Sequence, residues 1–193
     1  MMRTLAAVAA VMLASMLAGG CGHRPAGTRH ARAEPCPASA LVLRPGPPIA
    51  EMTGEHSVMY ALVNHGPVTC TVRGYPQVML YDASGGVLPF RYAHGGGPFV
   101  TTAKPVTIVL AHGSAAHVLV AKFRCDLGIA ANVTSIRLTL PAAHGATFAW
   151  RVAVGGEGGS AGLSYCRGGP QAAEQLVTVS PVEAATQATS SIR

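Results

Sequence analysis

Glycine and proline cut this chain into pieces too short for a bundle of long helices. There are 23 Gly and 14 Pro among 193 residues, about a fifth of the total. Each interior Gly costs a helix roughly 1 kcal/mol relative to Ala, and each Pro about 3 kcal/mol. What survives between them are short apolar runs with the period of strands. In residues 56–64 (HSVMYALVN), Val58, Tyr60 and Leu62 fall on one side and Met59, Ala61 and Val63 on the other. Apolar character on both faces is the pattern of a strand inside a packed sheet. Similar runs occupy 41–43, 68–72, 78–81, 87–92, 106–111, 116–123, 135–140, 147–154 and 176–182. The segments DASGG (82–86) and HGSA (112–115) have turn chemistry and predict two hairpins, 78–81 with 87–92 and 106–111 with 116–123. A helical turn is expected over 126–133. The fold class expected from this pattern is all-β, an antiparallel β-sandwich of about 7–9 strands.

The first twenty residues stand apart. Arg3 precedes an uncharged run from Leu5 to Ala18, rich in Ala, Val, Leu and Met. That is the shape of an export signal, and it is short for a membrane span, which takes about 20 apolar residues. The ending Leu17-Ala18-Gly19-Gly20-Cys21 resembles the lipobox of bacterial lipoproteins, with Ala in place of the usual Leu three residues before the Cys. Residues 1–20 are therefore read as a lipoprotein signal peptide and Cys21 as the lipidated new N-terminus, held by acyl chains at the membrane. The alternatives are ordinary signal cleavage and an uncleaved anchor. Residues 21–35, with Arg24, Arg29 and Arg32 and no large apolar side chain, read as a flexible basic spacer. Residues 36–182 form the expected domain, and 183–193 an expected disordered tail.

Charge excludes one class of partner. The formal net charge is +6, and half of it lies before residue 35. Only 5% of residues are aromatic and no basic cluster occurs inside the domain, whereas nucleic-acid surfaces want dense basic faces interleaved with aromatics. A tether near acidic headgroups accounts for the basic spacer.

Apart from Cys21, the cysteines are Cys36, Cys70, Cys125 and Cys166, evenly numbered and without a CxxC pair. In an exported chain this reads as two disulfides. Three pairings exist; the nested one, Cys36–Cys166 with Cys70–Cys125, is favoured because it joins the two ends of the domain. A redox-active thiol pair is the other reading, and it usually needs close spacing near a helix start.

The stretch Gly54-Glu55-His56, then Asn64, then Thr69-Cys70-Thr71-Val72-Arg73-Gly74-Tyr75-Pro76 and Tyr81-Asp82-Ala83-Ser84-Gly85 resembles an actinobacterial secreted-domain family, the domain of unknown function DUF4232. Cys36, Cys125, Cys166 and the run 176–182 fit the remaining places of its pattern, so the resemblance covers 36–182. It implies an immunoglobulin-like sandwich, often on lipoproteins, with no assigned activity and no catalytic residues to carry over.

Candidate chemistry is sparse. Gly158-Gly159-Ser160-Ala161-Gly162 matches G-x-S-x-G, but no His or Asp follows Ser160 to complete a triad. Ser84 lies downstream of His56, yet Asp82 is the sole Asp before it, and a turn explains the segment better. His56, His65, His94, His112, His117 and His144, with Met52, Met59 and Met79, keep copper or zinc binding as an alternative, although no pair has ligand spacing. The reading is a lipid-anchored envelope lipoprotein that binds a protein or small ligand without catalysis, uses no cofactor and binds no nucleic acid. Residues 92–104 and 155–162 are its expected recognition loops. An exported copper or zinc protein is the alternative, and a secreted hydrolase the third.

Overall fold

Alternation becomes pairing most fully along two strands, β2 (Glu55–Asn64) and β7 (Ala115–Phe123), whose antiparallel register runs from Glu55 opposite Phe123 to Val63 opposite Ala115. The structure is a computed structural model that describes residues 33–50, 54–96, 100–140, 147–150 and 163–184, with the backbone alone described for 47–50 and 147–150. The described residues belong to one compact unit spanning 32–193. No helix among them is long and apolar enough to cross a membrane.

Two larger sheets dominate. In the first, β1 (Leu41–Ala50), β2, β7, β12 (Leu176–Val179) and β5 (Arg91–His94) lie in that order, and β13 (Glu183–Ala184) pairs with β7. In the second, β9 (Ser135–Thr139) sits between β10 (Thr147–Trp150) and β4 (Gln77–Tyr81). Among the described residues there are also two short ribbons, β3 (Cys70–Val72) with β6 (Ile108–Leu110), and β8 (Ile129–Ala131) with β11 (Tyr165–Cys166). Tyr60, Leu62, Val118, Val120, Val177 and Val179 of the first sheet share one buried cluster with Val78, Leu80, Ile136 and Leu138 of the second. Two sheets enclosing one apolar layer make the chain an all-β sandwich, as expected. On the other face of the first sheet, Leu119, Ala121 and Val100 bury a smaller cluster with Met59.

Neither predicted hairpin forms as a hairpin of two strands. At residues 82–86 the turn closes, with Tyr81 opposite Val87 and Leu88 N donating to Leu80 O (2.9 Å). Pro89 then offers no N–H, Phe90 N bonds back to Leu88 O (2.8 Å), and the chain leaves for the first sheet. There β5 runs parallel to β12, Arg91 opposite Leu176, so the sandwich is not wholly antiparallel. At the second turn β6 pairs with β3 and β7 with β2, so the connection switches sheets. Gly113 holds a φ of +77° there, a conformation that suits glycine. The expected helical turn over 126–133 is instead a turn followed by β8. The domain also starts earlier and ends later than expected. Pro35 bridges Thr71, and β13 carries pairing to Ala184.

The disulfides are Cys36–Cys70 and Cys125–Cys166, which corrects the nested Cys36–Cys166 and Cys70–Cys125 pairing. Strand placement explains the difference. Cys36 N donates to Thr71 O (2.9 Å) and Thr71 N to Glu34 O (2.8 Å), which lays the opening segment along β3 and brings the Cα atoms of Cys36 and Cys70 to 4.8 Å. The β8–β11 ribbon sets Cys166 opposite Ile129, just beyond the turn that begins at Cys125, with those Cα atoms 5.0 Å apart. Loop-closure entropy grows only logarithmically with length, so it separates the two schemes by about 1 kcal/mol. Local backbone pairing decides.

Candidate functional site

Lys122 is a cation buried among the apolar residues of the first sheet. On β7 it continues the buried row Ala116, Val118, Val120, and it is itself 1% exposed. Burial pushes its ammonium pKa down to about 8, partly offset by the Glu174 carboxylate. The ammonium donates to Phe123 O and lies 3.3 Å from Cys166 Sγ and 3.9 Å from Cys125 Sγ. It stands against the second disulfide.

The surrounding segment is held from several sides. The Gln175 side chain brackets Cys166, its Nε2 donating to Cys166 O (2.6 Å) and its Oε1 accepting from Cys166 N (3.3 Å). Arg91 on β5 donates to the carbonyls of Gln171 (3.3 Å) and Ala172 (2.9 Å), which fixes the approach to β12. Beside this lies a cavity of about 390 Å³, lined by Glu55, Arg91, Lys122, Phe123, Leu176 and Thr178 among others. Its walls are largely apolar with a few polar groups, the composition of a small-molecule seat.

The residues singled out from sequence do not converge on this place. Ser84 is part of a turn, its Oγ donating to Asp82 Oδ1 (2.6 Å), which also accepts from Ser84 N (2.9 Å) and Gly86 N (2.8 Å). Those bonds, the Ser84 hydroxyl first, hold the Asp82 carboxyl below its usual range. His65 Nε2 meets an Arg44 guanidinium nitrogen (3.3 Å), His94 stacks on Tyr75 with centroids 4.4 Å apart, and His112 Nδ1 lies 3.0 Å from Gly66 O. His56 sits opposite Lys122, and burial, then the charges of Lys122 and Arg124, lower its pKa. Met59 packs in the smaller cluster. Among the described residues no group of three or more His, Cys, Asp or Glu gathers as a metal site. Cys21, the leader, Ser160, His144, Met52 and the 155–162 loop lie outside the described residues, as do 97–99 within the other expected recognition loop. The rest of that loop is tied down in part, Gly95 N donating to Val179 O (3.0 Å) and the Tyr75 hydroxyl to Ala103 O (3.1 Å).

Lys122 was missed because one Lys at the end of an apolar strand reads as the strand's exit to solvent. The available signal was its scarcity, since Lys104 and Lys122 are the only lysines in the chain.

Fold and site together define an all-β, doubly disulfide-bonded sandwich with a lysine buried against one of its disulfides. The chain belongs to the family Domain of unknown function (DUF4232), whose profile matches residues 36–166. No curated protein and no solved structure matches it.

Proposed function

We propose that this protein is an exported lipoprotein, anchored through Cys21 to the outer face of the cytoplasmic membrane, whose sandwich binds a small ligand without catalysing a reaction. The observation that carries the binding part is the 390 Å³ cavity where β2, β7, β12 and β5 of the first sheet begin or end, in which Phe123 and Leu176 offer apolar wall and Glu55 and Arg91 offer polar groups. Export is supported by the use of all four domain cysteines in disulfides, which persist in oxidising compartments. Anchoring rests on the sequence Leu17-Ala18-Gly19-Gly20-Cys21. Residues 22–32 would then act as the spacer between membrane and domain.

Two experiments test the two halves. Feeding cells an alkyne fatty acid should label the wild-type chain and leave Cys21→Ser unlabelled; equal labelling of both would remove the anchor. Titration with the apolar anion anilinonaphthalene sulfonate should show saturable binding that is lost in Ala173→Trp, a substitution at the exposed lining residue Ala173 that fills the cavity from its rim. Unchanged binding in that variant would remove the cavity as the ligand seat.

A further inference from the structure

We propose that the Cys125–Cys166 disulfide is a thiol-exchange site, at which an external dithiol attacks Cys125 Sγ and the Lys122 ammonium receives the departing Cys166 thiolate. This is a stoichiometric reactivity of the domain and does not depend on what the cavity binds.

Access separates the two disulfides. Cys36 and Cys70 are 0% and 2% exposed, so neither sulfur of that bond meets solvent, and Cys166 is 1% exposed. Cys125, in the turn after β7, is the one partly exposed cysteine of the four. Exchange requires an attacking thiolate to reach one sulfur along the bond axis and expel the other. Only Cys125 offers that approach, which makes Cys166 the leaving group.

Charge favours the cleaved state. Lys122 Nζ is 3.3 Å from Cys166 Sγ, the nearer of the two sulfurs. A disulfide sulfur is a weak acceptor, so a buried ammonium set against it gains little for the water it has lost. Glu174 offsets part of that loss, and Glu55 and Arg91 share the adjacent cavity lining. Cleavage changes the balance, because a Cys166 thiolate is a full negative charge at ion-pair distance. The intact bond gives Lys122 only weak sulfur acceptors beside the Phe123 carbonyl, whereas the cleaved product sets a full negative charge in contact with it.

The backbone of Cys166 is fixed independently of its sulfur. Gln175 holds both the N–H and the carbonyl of Cys166, bonds that do not involve sulfur. The leaving thiolate therefore stays beside Lys122 after the link is cut.

The step balances. A thiolate of the dithiol forms a mixed disulfide with Cys125, and the electron pair of the broken S–S bond goes to Cys166. The second thiol of the dithiol then displaces Cys125, so the dithiol becomes a disulfide and the two cysteines hold its two electrons.

The test uses the full-length chain with dithiothreitol at neutral pH, quenched with iodoacetamide and mapped by mass spectrometry. Cys125 and Cys166 should be alkylated at least about tenfold faster than Cys36 and Cys70; Lys122→Met should slow the opening of Cys125–Cys166 severalfold and leave that of Cys36–Cys70 unchanged, while Lys122→Arg restores the faster opening. Equal opening rates for the two bonds, or an undiminished difference in folded Lys122→Met, would overturn the proposal. If Lys122→Met does not fold, the wild-type chain decides through its adduct with glutathione. A mixed disulfide on Cys125 supports the assignment, and one on Cys166 or on the other pair overturns it.

Discussion

Asn64 Nδ2 donates to Leu110 O at 3.0 Å, tying the end of β2 to the end of β6 across the switch between sheets. The same amide reaches Val68 O (2.9 Å), and its Oδ1 accepts from Gly66 N (2.9 Å). Its backbone accepts from Gly113 N (2.7 Å) and is bonded by its own N–H to Ser114 O (2.9 Å). One fully buried asparagine thus ties the turn at 65–68 to the turn at 112–114. Asn64→Ala should leave buried carbonyls without donors and destabilise the fold by about 2–4 kcal/mol. Differential scanning calorimetry should show a melting temperature lower by roughly 5–10 °C; a shift below a degree or two would mean that the turns are held elsewhere.

The two disulfides predict a specific peptide map. Because Arg44 precedes Pro45, trypsin leaves residues 33–73 as one peptide that contains both Cys36 and Cys70. Without reductant, that peptide should run alone with an internal bond, and peptide 125–137 should be linked to 152–167. The nested pairing would instead join all three. Replacing either bonded pair by alanines should cost up to about 4 kcal/mol on the loop-entropy account, read from urea midpoints.

Strand positions were legible in the sequence, and partners were not. The runs at 56–64, 78–81 and 135–140 correspond closely to β2, β4 and β9, because alternation is a property of each segment alone. Both predicted hairpins have the right turn residues, and in both the chain crosses between sheets after or within the turn. Local chemistry closes a turn; tertiary packing chooses the neighbour. The same limit governs the cysteines, whose pairing follows the placement of 34–36 along β3 and of β11 along β8. Of the site, Arg91, Gln171 and Glu55 come from segments far apart in the chain, and no spacing rule connects them.

Lys122 predicts an alkaline rise in stability. Its folded pKa of about 8 lies below the 10.5 of the unfolded chain, so between those values the unfolded state holds a proton that the folded state lacks. Stability then increases with pH, by about 3 kcal/mol over the full window. Burial raises the Tyr60 and Tyr92 hydroxyl pKa values above 10.0, which has the opposite effect once unfolded tyrosines ionise. Urea unfolding should therefore show stability climbing from pH 8 to a maximum near pH 10. Lys122→Met should flatten the climb; an unchanged profile would show that the ammonium is not what titrates.

Asp82→Ala removes the acceptor of three hydrogen bonds in an exposed turn. The expected outcome is a local loosening of the turn, read as faster amide exchange at Ser84 and Gly86 with the melting temperature nearly unchanged. Since the Ser84 hydroxyl is engaged by Asp82, a fluorophosphonate probe should leave it unlabelled. Stoichiometric labelling would reopen the hydrolase reading.

The central claim is an exported, acylated, doubly disulfide-bonded chain, and the most direct measurement is the intact mass of protein extracted from membranes with thiols blocked by iodoacetamide before any reductant. The account predicts a chain beginning at Cys21, heavier by its acyl groups, with no alkylation at Cys36, Cys70, Cys125 or Cys166. A chain still beginning at Met1 with four alkylated domain cysteines would contradict it.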